Sequence, residues 1–74
     1  MTLDCRGQLC PQPVIALARA VKTAGTGTVI RIETDDPAAA VDIPAWCRMR
    51  GHRCAVVSDV LGVLTHDVTV TRSA

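Results

Sequence analysis

At 74 residues the chain has the size of one small domain, which buries a low fraction of its surface and needs a core dense in apolar side chains. Hydrophobic residues make up 49% of it, but with no Phe or Tyr and a single Trp that core has to come from Val, Leu, Ile and Ala. A formal net charge of +1 with 20% charged residues argues against disorder and against a strongly basic nucleic-acid surface, and no apolar run approaches the roughly 20 residues of a membrane span.

Thr2 to Cys5 is expected as a short strand, with Leu3 and Cys5 on one side and Asp4 on the other. Arg6-Gly7-Gln8-Leu9 is expected as a turn, with Gly7 at the position needing a positive φ. Cys10-Pro11-Gln12-Pro13 then leads into the helical pattern Val14, Leu17, Ala18, Val21, which predicts a helix from about Pro11 to Ala24. Lys22 falls in its last turn and Gly25 is expected to stop it.

Thr28 to Thr34 is rich in β-branched residues and alternates, Ile30 and Ile32 against Val29, Arg31 and Glu33. This predicts a strand with one covered and one mostly polar face. Asp36-Pro37 is a helix start, Asp as N-cap and Pro at the first helical position, and Gly51 is the expected stop after about Arg50. Pro44 cannot donate to the Ala40 carbonyl, so a kink or irregular turn is expected near Ala40 to Ile43. Ile43, Trp46, Cys47 and Arg50 should share a face.

Arg53 to Ser58, with Cys54 and Val56 on one face, and Leu64 to Thr71, with Leu64, His66, Val68 and Val70 on one face, are expected as antiparallel strands. A hairpin loop of Asp59 to Val63 should join them. The order β-α-β-α-β-β predicts an α+β fold, a two-layer sandwich. Its mixed four-stranded sheet carries two helices on one face, with the first two strands parallel if adjacent. One domain, residues 1–74, is expected.

Met1-Thr2-Leu3-Asp4 has no basic region followed by an apolar stretch. No secretory signal is therefore expected, and the expected compartment is the cytoplasm, where thiols stay reduced. Cys5 and Cys10 have a spacing that suits zinc, whereas the six residues between Cys47 and Cys54 make a wide gap. No Cys-X-X-Cys occurs, and neither a metal nor a cofactor is expected.

Cys10 is the candidate reactive residue. If it stands at the mouth of the first helix, unpaired N–H groups and the positive end of the helix dipole favour its thiolate. In that register Pro11 and Pro13 stiffen the mount, and the Gln12 N–H is the backbone donor left near the sulfur. Arg6 is a candidate for attracting an anionic sulfur donor or stabilising the thiolate, or else a solvated loop charge. Cys5, Cys47 and Cys54 are read as core, with Cys5 as a resolving thiol the less favoured alternative. Asp36 is explained by capping. His52 and His66 are read as packed or solvated. Arg48, Arg50 and Arg53 suit the helix dipole, and could also meet an acidic partner.

Leu3-Asp4-Cys5-Arg6-Gly7 leading to Cys10-Pro11-Gln12-Pro13-Val14, with Asp35-Asp36-Pro37, Asp42-Ile43-Pro44, Trp46-Cys47 and Gly51-His52, resembles the TusA-type (SirA-like) sulfur-carrier family. The resemblance implies the two-layer sandwich and a persulfide sulfur carried on Cys10. Pro11, Gln12, Pro13, Arg6 and Gly7 are the candidate supporting residues, and the resemblance implies a cysteine desulfurase or rhodanese-type enzyme as donor. Downstream, it implies an acceptor protein in tRNA thiolation, molybdenum cofactor synthesis or sulfur oxidation. Two departures stand out: the family commonly has Gly-Leu-X-Cys where this chain has Gly7-Gln8-Leu9-Cys10, and Gln12 replaces an often acidic residue. A thiol-redox regulator or adaptor switching through Cys5 and Cys10 is the alternative. Direct nucleic-acid binding is not expected, because aromatics for base stacking are lacking.

Overall fold

A computed structural model describes residues 1–9 and 11–71. The elements run β1 (Thr2–Asp4), α1 (Gln12–Thr23), β2 (Val29–Thr34), α2 (Pro37–Arg50), β3 (Arg53–Val60) and β4 (Val63–Thr69). The four strands form one sheet in the order β1-β2-β4-β3. β1 is parallel to β2, with Leu3 opposite Ile32, and β4 is antiparallel to both β2 and β3. This is the expected mixed α+β sheet, and the helices pack on the face that carries Ile30, Ile32, His66, Val68 and Val70.

Alternation explains the core. Ile30, Ile32, Val68 and Val70 are fully buried beneath Leu17 and Val21 of α1 and Ala39, Ile43 and Cys47 of α2. Each large aliphatic side chain so buried contributes roughly 1.5–3 kcal/mol of transfer free energy. His66, directly opposite Ile32, is fully buried as well, and neither of its ring nitrogens has a hydrogen-bond partner among the described residues. Burial pushes its pKa below the ordinary imidazole value, so it is held neutral.

Several local expectations are corrected. α1 begins at Gln12 with Pro11 as its N-cap, one residue later than predicted, and it ends at Thr23 with Ala24 in an extended conformation. Gly25 is not its left-handed stop; the positive φ of that loop belongs to Gly27, at 92°. α2 continues as one helix through Pro44, with no irregular turn between Ala40 and Ile43. Proline removes one donor there, while Ala39, Ile43 and Cys47 remain seated on the sheet.

β3 runs on to Val60 and carries a register shift between Val56 and Ser58, leaving Val56 57% exposed on the edge strand. The hairpin loop is accordingly shorter than expected. Leu61 and Gly62, with φ of 54° and 79°, make a two-residue turn between Val60 and Val63. The start and stop of α2 are as predicted: the Asp36 side chain accepts from the Ala38 N–H at 3.2 Å, and Gly51 closes the helix with φ 78°.

Candidate functional site

The strand register fixes which loops meet. β1 and β2 run parallel, with Asp4 opposite Glu33, so both end where α1 and α2 begin. Thr34 lies opposite Leu64, which brings the β3–β4 hairpin to the same end of the sheet. The β1–α1 connection that contains Cys10 therefore shares one end of the molecule with Asp35-Asp36 and with the Leu61-Gly62 turn. Cys10 itself lies outside the described residues, as does the expectation that it caps α1.

The connection is held on both sides of position 10. The Cys5 N–H donates to the Glu33 carbonyl at 2.8 Å, extending the β1–β2 ladder by one bond. Gly7 turns the chain with φ 80°, and its N–H donates to Asp35 Oδ1 at 2.9 Å. The Gln8 N–H donates to the Cys5 carbonyl at 3.2 Å. Past position 10, the Gln12 N–H donates to the Leu9 carbonyl at 2.9 Å and the Ile15 N–H to the Pro11 carbonyl at 3.0 Å. Gln12, singled out as a free backbone donor, is therefore engaged in a turn; the one-residue shift of the helix start is the cause.

The two prolines divide their roles. Pro11 is exposed, with φ −97° and ψ 15°, and supplies no side-chain cap, while Pro13 is fully buried and pins the first turn of α1 to the core. Leu9 is 71% exposed, and Gln8 is half-buried. The displaced apolar residue of this loop thus faces outward. Gln12 borders a shallow depression of about 260 Å³ with Gln8, Ile15 and Arg19.

Arg6 binds Asp4 through two parallel hydrogen bonds, Nε and NH2 each 2.9 Å from a carboxylate oxygen, and both side chains are exposed. The Arg6 hydrogen bonds hold the Asp4 carboxyl at about 2, and Asp4 in turn raises the Arg6 pKa further. The guanidinium considered for thiolate stabilisation has a carboxylate of its own.

The remaining thiols are withdrawn from reactivity. Cys5 is 2% exposed, and burial raises its pKa, with the Asp4 charge adding to the effect. Cys47 is buried and pushed up to about 12 by desolvation, with the neighbouring Cys54 adding to the effect, and burial raises the pKa of Cys54 as well. Cys5 and Cys47 are core residues as expected, whereas Cys54 is half-buried at the margin of the core. Among the described residues, no three His, Cys, Asp or Glu side chains converge as metal ligands, and no helix is long and apolar enough to cross a membrane.

Asp35, read from sequence only as half of an Asp35-Asp36 carboxylate pair, holds the Gly7 turn, a role that sequence reasoning missed. Its signal was available: it stands at the end of a strand parallel to β1, beside a glycine-containing turn that needs an acceptor.

The fold is that of a known group of small α/β proteins. A solved SirA-like protein from Desulfitobacterium hafniense superposes with a TM-score of 0.84 at 22% identity, covering 96% of this chain and 97% of that one. The family model described as Sulfurtransferase TusA matches residues 1–71, and the chain belongs to that family.

Proposed function

We propose that this protein is a sulfur carrier that takes up sulfur as a persulfide on Cys10 and hands it to an acceptor protein. The observation that carries this reading is the family match across residues 1–71, with Cys10-Pro11-Gln12-Pro13 inside it. Elimination supports it, since burial raises the pKa of the other three thiols, and thiolate is the nucleophilic form. The bonded framework of Gly7, Gln8, Gln12 and Pro13 supplies a fixed mount on either side of position 10.

In the uptake step the Cys10 thiolate attacks the outer sulfur of a donor enzyme's Cys–S–SH. A new S–S bond forms to Cys10, the donor's S–S bond breaks, and the donor cysteine leaves as thiolate. One sulfur atom moves with no external oxidant or reductant. A cysteine desulfurase or a rhodanese-type enzyme is the donor class. The acceptor serves tRNA thiolation, molybdenum cofactor synthesis or sulfur oxidation, and a reducing cytoplasm suits a working free thiol. The alternative of a Cys5–Cys10 redox switch is disfavoured by the burial and raised pKa of Cys5.

Incubation with a cysteine desulfurase and free cysteine should add one sulfur atom to the intact protein by mass spectrometry. A thiol reductant should remove it, and Cys10→Ser should not gain it. A wild-type mass that stays unchanged with desulfurase, rhodanese and polysulfide alike refutes the carrier reading.

A further inference from the structure

Leu61 is the most exposed large apolar side chain described, at 98%, and it is the non-glycine residue with positive φ, at 54°. Two-residue hairpin turns of this kind prefer Asn, Asp or Gly at both central positions. Asparagine would serve the turn better and would expose no apolar surface. Leucine here therefore contributes nothing to the fold, and its use lies outside the molecule.

Its position says where. Leu61 sits at the end of the sheet that also bears the β1–α1 connection, with Val60, 59% exposed, beside it and Leu9, 71% exposed, across the end. β1 and β3 are the two edge strands, so three strand spacings, about 15 Å, separate them. An interface of standard size, about 800 Å² per partner, spans both.

The charge of this end is also one-sided. Asp4, Glu33, Asp35, Asp36 and Asp59 stand against Arg6 among the described residues, and Arg6 is paired with Asp4. Asp35, Asp36 and Asp59 border a depression of about 260 Å³ between the start of α2 and the hairpin, with Gly62 and Leu64. Arg48 and Arg50 in the last turn of α2, and Arg53 just past it, lie at the opposite end, about 20 Å away along a 14-residue helix.

We infer that the β3–β4 hairpin tip, through Leu61 and the acidic rim formed with Asp59, is a docking element for the donor enzyme that delivers sulfur to Cys10. The partner surface it fits is an apolar pocket edged by Lys or Arg. This inference rests on the sulfur-carrier reading and adds the surface by which that carrier is recognised. Leu61 supplies the anchor that enters the pocket, and the carboxylates steer and orient the approach. The basic far end, considered from sequence as a meeting point for an acidic partner, lies on the wrong side of the molecule for this exchange.

The test compares two routes of loading Cys10, measured as rate of persulfide gain by mass spectrometry. One route uses a cysteine desulfurase or a rhodanese with its sulfur substrate; the other uses inorganic polysulfide, which needs no docking. The readout for each variant is the ratio of enzyme-delivered to polysulfide-delivered rate. Leu61→Asn should lower that ratio at least tenfold while its thermal midpoint stays level or rises, an outcome a purely structural role would not give. Leu61→Met should restore most of the ratio, and Asp59→Lys should lower it several-fold at low salt and less at high salt.

A ratio within twofold of wild type for both Leu61→Asn and Asp59→Lys overturns the inference. So does a wild type that gains sulfur no faster from either enzyme than from polysulfide. Failure of the wild type to load by any route refutes the carrier reading instead, so the two failures are distinguishable.

Discussion

The two ends of this small sandwich are built to opposite specifications. At the far end of α2, most devices favour stability, although the buried Nε2 of His52 has no partner among the described residues. Gly51 takes the left-handed cap and donates to the Arg48 and Cys47 carbonyls, Arg48 and Arg50 face the negative end of the helix dipole, and the His52 N–H reaches the Cys47 carbonyl at 2.8 Å. His52, 6% exposed, packs against Trp46 at 5.5 Å between ring centroids and accepts from the Thr71 N–H through Nδ1 at 3.2 Å. The Thr71 hydroxyl donates to the Gly51 carbonyl and completes the closure.

At the opposite end two such devices are missing. α1 starts on a proline with no side-chain cap, and a leucine occupies a left-handed turn position at a cost on the order of 1 kcal/mol. α2, which starts beside it, does carry its Asp36 cap. The deficit is therefore local to the Cys10 connection and the hairpin tip. Stability is concentrated where nothing has to be recognised, and the surface proposed to meet a partner is left under-stabilised.

Breaking the stable end should give the largest effect. His52→Ala removes the Trp46 contact and leaves the Thr71 N–H without its acceptor, and should lower folding stability by about 2 kcal/mol in urea denaturation followed by Trp46 fluorescence. A loss under a few tenths of a kcal/mol would mean that this closure is ornamental.

Between the ends, His66 makes the core sensitive to acid. Its folded pKa is lowered by burial, so below about pH 6.5 the unfolded chain takes up the proton first. The contribution of neutral His66 is fully present above that pH and is lost as pH falls toward the folded value. The slope is at most about 1.4 kcal/mol per pH unit. His66→Leu, which cannot titrate, should flatten the stability profile between pH 7 and pH 5; an unchanged slope would assign the acid sensitivity elsewhere.

The smallest expected effect sharpens the other side of the comparison. Asp35→Ala frees the Gly7 N–H and should cost about 1 kcal/mol or less of global stability. It should speed hydrogen exchange at Gly7 and slow enzyme-delivered sulfur uptake, because the mount beside Cys10 loosens. Equal Gly7 exchange in variant and wild type would show that Asp35 does not hold the loop.

Much of this was legible along the chain. Ile30, Ile32, Val68 and Val70 declare their strand faces by alternation, and Asp36, Pro37 and Gly51 mark the limits of α2 through backbone rules that act over a few residues. Where a local rule faced a tertiary contact, the contact won. Pro44 should have disturbed α2, but Ile43 and Cys47 hold the helix to the sheet on either side of it. The start of α1 moved by one residue because buried Pro13, not the cap position, sets its seat.

The sequence by itself determined the element order, the apolar faces and the family, and it singled out Cys10 as the thiol proposed to work, because periodicity, capping and motif spacing are properties of near neighbours. Only the tertiary structure decided that Asp35 grips Gly7, that Arg6 is answered by Asp4, and that Leu61 stands exposed at the same end as the Cys10 connection. Those relations depend on the parallel pairing of β1 with β2 and on the register of β4, which bring residues tens of positions apart to one end of the sheet.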